Sequence, residues 1–132
     1  DPLMVEQYDA IYIDDERDMT NMLSMFIQVK HKDWRFRTYN NSQDAWIEIM
    51  EDRVAAKVWL LDIMMPSKDG TVIAEALAKY HNPPPIVLGY TALDPYSLKD
   101  NPSYKDRLMY FNHILNKQDD ITDLLELIKM WL

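Results

Sequence analysis

Short apolar runs that each stop at a polar residue alternate along this chain with segments of helical period, and that alternation constrains the fold more than any other feature. Ala10–Ile13 stops at Asp14 and Asp15, Val58–Leu61 at Asp62, Pro85–Tyr90 at Thr91, and His113–Leu115 at Asn116 and Lys117. Runs this short, rich in Val, Ile, Trp and Tyr, suit strands buried on both faces and are too brief for helices. Trp34, Phe36 and Tyr39, interleaved with Arg35 and Arg37, predict one further strand, with polar residues that suit a sheet edge.

Helical spacing fills the intervals. Arg17–Lys30 places Met19, Met22, Leu23, Phe26 and Ile27 on one stripe, and Ser42 is read as the cap of a helix that buries Ala45, Trp46, Ile49 and Met50 and ends near Arg53. After Gly70, which is expected to supply backbone freedom behind the Pro66 turn, come Val72, Ile73, Ala76, Leu77 and Tyr80, until Asn82 and three prolines stop the helix. Asp119 or Asp120 starts a last helix with Ile121, Leu124, Leu125, Ile128 and Leu132 inward. From Leu93 to Asn112 the pattern is weakest: Pro95 and Pro102 break the period, and Leu98, Tyr104, Leu108 and Phe111 fit a helix only loosely. Gly89, inside its strand, points to close packing.

Strand and helix in strict alternation require right-handed crossovers and a parallel sheet. The predicted fold is α/β, doubly wound, with five parallel strands in the flavodoxin-like order 2-1-3-4-5 and helices on both faces. In that order the first and third strands are neighbours at the switch point, so Asp14, Asp15 and Asp62 converge beyond their carboxyl ends, and Thr91 and Lys117 reach the same rim. Singly, each has an ordinary explanation. Asp14, Asp15, Glu16 and Asp18 suit a helix start, Thr91 a strand-end cap, and Lys117 a solvated charge. His31, His81 and His113 follow no ligand spacing, and the four tryptophans are most simply packing.

Together the aspartates imply more. Carboxylates about 4 Å apart repel by roughly 4 kcal/mol per pair at an effective dielectric near 20, unless a proton or a cation intervenes. All-oxygen ligands in a chain without cysteine favour Mg²⁺ or Mn²⁺. One carboxylate then remains to react: Asp62 can attack phosphorus, Lys117 can offset charge on the transferring group, and Thr91 can donate a hydrogen bond to the product.

Composition removes several other classes. A net charge of −8 repels phosphate backbones, so direct nucleic-acid binding is not expected. No apolar run approaches the roughly 20 residues of a membrane span, and the lack of cysteine suits a reducing compartment, so the cytoplasm is the expected location. At 132 residues the chain is expected to be one domain over 1–132; Asp1–Leu3, ahead of Met4, read as a cloning remnant, and residues 1–8 as poorly ordered or partly such a remnant.

The stretches IYIDDE, LLDIMMPSKDG, VLGYTA and ILNK, in this order, resemble the receiver domain of bacterial two-component response regulators over nearly the whole chain. The resemblance implies a phosphoacceptor switch rather than an enzyme with a turned-over substrate. Asp62 would accept a phosphoryl group from a sensor histidine kinase or histidine phosphotransfer protein. Asp14, Asp15 and Asp62 would hold Mg²⁺ with the main-chain carbonyl of Met64, and Thr91 and Lys117 would contact the phosphoryl oxygens. It also implies an output domain or partner protein and a homodimer through the face of the fourth and fifth helices.

Two positions depart from the family pattern. Gln118 follows Lys117 where the family has a cis proline, so the loop is either trans or strained. Ile114 stands three residues before the lysine, where an aromatic usually reports activation. Two alternatives remain open: a receiver-like module that signals by binding alone, and a small Mg²⁺-dependent phosphatase, which lacks a second acid because Met64 stands two residues after Asp62.

Overall fold

A computed structural model of the protein describes residues 4–132. Five strands, β1 (Glu6–Ile13), β2 (Phe36–Tyr39), β3 (Val54–Leu61), β4 (Ile86–Thr91) and β5 (His113–Asn116), form one sheet in the order β2-β1-β3-β4-β5. Every pairing is parallel. Helices α1 (Arg17–Lys30), α2 (Ser42–Met50), α3 (Gly70–Tyr80), α4 (Pro95–Asp100) and α5 (Ile121–Met130) alternate with the strands, and a 3-10 helix over Lys105–Tyr110 precedes β5.

The period-two geometry of each strand sorts its residues between two helical layers. On β1, Ile11 and Ile13 join Trp59, Leu61 and Val87 against Ala45 and Ile49 of α2 and Ile73, Ala74 and Leu77 of α3. Ala10 and Tyr12 join Val58, Leu60, Leu88 and Tyr90 against Leu23 and Ile27 of α1 and Leu124, Leu125 and Ile128 of α5. The three central strands are therefore apolar on both faces, as a doubly covered parallel sheet requires.

Several sequence expectations shift. Strand β1 begins at Glu6 rather than Ala10, so Glu6–Tyr8 belong to the sheet instead of a poorly ordered start; Asp1–Leu3 lie outside the described residues. Strand β3 begins at Val54, because α2 already ends at Met50 and not near Arg53. Trp34 lies before β2 and stacks on the His31 ring, centroids 4.0 Å apart. Asn41, not Ser42, caps α2, its side chain accepting from Gln43 N and Asp44 N. Met22, Phe26, Met50, Tyr80 and Leu132, all assigned inward by spacing, are exposed, because the buried stripe of each helix is narrower than its apolar stripe.

The poorly patterned 93–112 stretch resolves into two short pieces. Asp94 caps α4 by accepting from Ser97 N, Pro95 takes the first turn where its missing N–H costs nothing, and the 3-10 helix then packs on α3. Gly89 makes room for this arrangement: a Cβ there would meet Ile114 Cγ1 at 3.1 Å and the Phe111 ring at 3.3 Å. Among the described residues the cis peptide bond is Asn82–Pro83, so Lys117–Gln118 is trans.

Candidate functional site

Asp14 and Asp62 each directly follow the last residue of adjacent strands β1 and β3, and the parallel ladder runs into them: Asp62 N donates to Ile13 O at 2.9 Å and Asp14 N to Tyr39 O at 3.0 Å. Their side chains emerge at the carboxyl edge of the sheet beside Asp15. One oxygen from each of the three carboxylates lies within 4.8 Å of the others. Asp14 is fully buried, Asp62 nearly so, and Asp15 exposed.

Lys117, the residue after β5, closes the cluster. Its N–H donates to Thr91 O at 2.8 Å, which aligns the ends of β4 and β5. Its ammonium then spans two carboxylates, 2.8 Å from Asp14 Oδ2 and 3.3 Å from Asp62 Oδ1. Burial opposes the Lys117 charge, but the hydrogen bond to Asp14 and the pull of both carboxylates outweigh it and leave its pKa raised. For Asp62 the balance runs the other way: burial, then the Asp14 charge, push its pKa up to about 7 despite Lys117. One ammonium cannot neutralise three acids, so a hard divalent cation suits the remaining charge and the all-oxygen donor set.

Thr91 is buried at the end of β4, its Oγ1 accepting from Leu93 N at 3.1 Å. Met64 stands exposed two residues past Asp62. The structure thus gathers Asp14, Asp15, Asp62 and Lys117 directly; Thr91 joins them through its carbonyl, which accepts from Lys117 N, and Met64 follows Asp62 by two residues, with no hydrogen bond to the cluster among the described residues.

Other groups at the site were not read from the sequence. Tyr12 donates its hydroxyl to Asp14 Oδ2, Glu16 N donates to Asp14 Oδ1 at 2.9 Å, and Asn40 Nδ2 donates to Asp14 O at 2.9 Å. Strand period alone puts Tyr12 on the same side of β1 as Asp14, the one signal that marks it. Ser42 is a clamp rather than a cap: its Oγ donates to Pro66 O at 2.8 Å and accepts from Lys68 N at 3.2 Å, tying α2 to the loop after Asp62. Asp69 caps α3, and Arg107 of the 3-10 helix reaches it at 3.8 Å and Thr71 Oγ1 at 3.0 Å. Gly70 needs no unusual φ, which corrects the expected backbone freedom; it is required because a Cβ would lie 2.1 Å from Asp62 O.

A parallel 2-1-3-4-5 sheet with an acidic cluster at its switch point defines the class: the chain has the fold of response-regulator receiver domains. It is similar to a receiver domain of a Francisella response regulator, with TM-score 0.75 and 19% identity over 94% of this chain and 95% of that one. The response regulator TrrA of Thermotoga maritima, solved with Mg²⁺-BeF, superimposes with TM-score 0.74 and 20% identity over 95% of this chain and 99% of its own. A CheY-like receiver domain of Methanospirillum hungatei matches with TM-score 0.71 and 21% identity over 92% and 91% of the two chains. No protein-family model and no curated protein sequence matches the chain. Among the described residues no helix is long and apolar enough to cross a membrane.

Proposed function

We propose that this protein is the phosphoacceptor switch of a two-component pathway. The carrying observation is the Lys117 ammonium set between Asp14 and Asp62, with Asp15 alongside. In this reading the Asp62 carboxylate attacks phosphorus of a phosphohistidine on a sensor histidine kinase or histidine phosphotransfer protein; the new P–O bond forms as the P–N bond breaks, and the imidazole leaves with a proton from solvent. Mg²⁺ (or Mn²⁺), held by Asp14, Asp15, Asp62 and the Met64 carbonyl, supplies charge neutralisation when bound. Lys117 offsets charge on the phosphoryl oxygens, and Thr91 donates to one of them. The product carries roughly two added negative charges, to which the β4 and β5 ends respond and pass the change to an output domain or partner protein. A homodimer through α4 and α5, and action in the cytoplasm, complete the proposal.

The test is incubation with Mg²⁺ and a small phosphodonor, read by intact-mass spectrometry. One phosphoryl group is expected on the wild type and none on Asp62→Asn. A wild type that stays unmodified refutes the reading.

The acyl phosphate is expected to hydrolyse slowly. Met64, exposed beside Asp62, and Leu93, partly buried after Thr91, offer no polar side chain to orient water. Replacing Met64 by Gln is expected to shorten the acyl-phosphate lifetime by about tenfold, the low end of what a positioned polar group contributes. An equal lifetime in the two proteins counts against this account.

A further inference from the structure

One oxygen of Asp14 carries two side-chain donors. Oδ2 accepts from the Lys117 ammonium at 2.8 Å and also from the Tyr12 hydroxyl, while Oδ1 accepts from Glu16 N. Tyr12 is fully buried in the layer facing α1 and α5, and its ring stands edge-on to Tyr90 with centroids 6.0 Å apart. A phenylalanine would fill the same space, so the hydroxyl answers to Asp14 rather than to packing. Packing fixes the ring; Lys117 by contrast sits at the end of a flexible stem and already divides its ammonium between Asp14 and Asp62.

This inference rests on the phosphoacceptor reading, in which Lys117 meets phosphoryl oxygens on Asp62. Leaving Asp14 would strip a fully buried carboxylate of its ammonium, and a cation shared among three carboxylates leaves the Oδ2 that faced Lys117 in need of another donor, since a buried charge with a lone pair unmet is unfavourable. We infer that Tyr12 is a positioning residue for the phosphoryl step: its hydroxyl keeps Asp14 Oδ2 satisfied, so that Lys117 can leave it for a phosphoryl group on Asp62. Two fixed donors, Tyr12 and the Glu16 N–H, hold Asp14, and one mobile donor serves the reaction. No bond to Tyr12 is made or broken.

Beryllofluoride, a phosphoryl mimic, tests this when titrated at saturating Mg²⁺ into the wild type, Tyr12→Phe and Tyr90→Phe and followed by fluorine NMR, with Mg²⁺ affinity measured separately by calorimetry. Tyr12→Phe is expected to bind beryllofluoride about tenfold more weakly, the scale on which an outer hydrogen-bond donor acts, while its affinity for Mg²⁺ alone falls less, because Lys117 stays on Asp14 until a phosphoryl mimic draws it away. Tyr90→Phe, which removes a hydroxyl from the ring packed against Tyr12 and leaves Asp14 its donors, is expected to behave as the wild type. Unchanged beryllofluoride binding in Tyr12→Phe, or an equal loss in Mg²⁺ affinity, overturns the inference. A wild type that takes up no beryllofluoride removes the phosphoacceptor reading itself and the inference with it. If Tyr12→Phe does not fold, the wild type still decides: its Tyr12 hydroxyl proton is expected to shift downfield on adding Mg²⁺ and beryllofluoride, as Lys117 withdraws from the shared oxygen, and an unmoved resonance overturns the inference.

Discussion

Gly70→Ala is expected to cost roughly 3 kcal/mol or more and to lower the urea midpoint by at least about 1 M. The added Cβ would lie 2.1 Å from Asp62 O, 2.9 Å from Asp62 C and 3.0 Å from Ile63 Cα. All three contacts are backbone, so no side chain can swing aside. Relief requires α3 to back away from the end of β3, which breaks the Gly70 N to Ile63 O hydrogen bond of 2.9 Å and moves Asp62 itself. Loss of phosphoryl uptake should accompany the loss of stability. A variant within about 0.5 kcal/mol of the wild type would contradict the packing argument.

Asp62→Asn is expected to stabilise the protein in metal-free buffer, by an amount that depends on pH. The Asp62 pKa rises from 3.8 to about 7 on folding, chiefly through burial and the Asp14 charge. A raised carboxyl pKa means that the folded state prefers the protonated form. The wild type therefore loses stability as pH rises from the unfolded value through the folded one, and the loss is complete above it. Asparagine carries no charge to bury, so its advantage is small near pH 4, grows to about pH 7 and is flat beyond. On the order of 2 kcal/mol is expected on the plateau, several degrees in the melting midpoint. Thermal melts with a chelator across this range check the sign; an advantage that shrinks toward high pH would reverse the electrostatic argument.

The sheet order was legible because β1, β3 and β4 are apolar on both faces and their polar terminators are unambiguous. The convergence of Asp14, Asp15 and Asp62 followed from that order. Groups whose part lies in a single contact were not legible. Ser42 reads as a cap because a serine before an apolar stripe ordinarily is one, yet Asn41 takes that place and frees the Ser42 hydroxyl to hold Pro66 and Lys68. Tyr12 reads as one more β-forming aromatic until its hydroxyl is seen on Asp14. Pro95 and Pro102 obscured the 93–112 stretch, where tertiary packing of the 3-10 helix on α3 overrides a weak local pattern. Gly70 was marked for the wrong reason, since close approach to a carbonyl leaves no trace in spacing.

The Ser42 clamp also decides where the site can yield. Pro66 and Lys68 are bonded to one hydroxyl at the start of α2, so the loop after Asp62 has little slack on that side. Opposite it stands β5, four residues long, partly exposed and at the sheet edge. If Asp62 is the phosphoacceptor proposed above, the site is a vice with one fixed jaw: a group added there would push against an anchored loop, leaving the sheet-edge strand that leads into Lys117 as the side free to move.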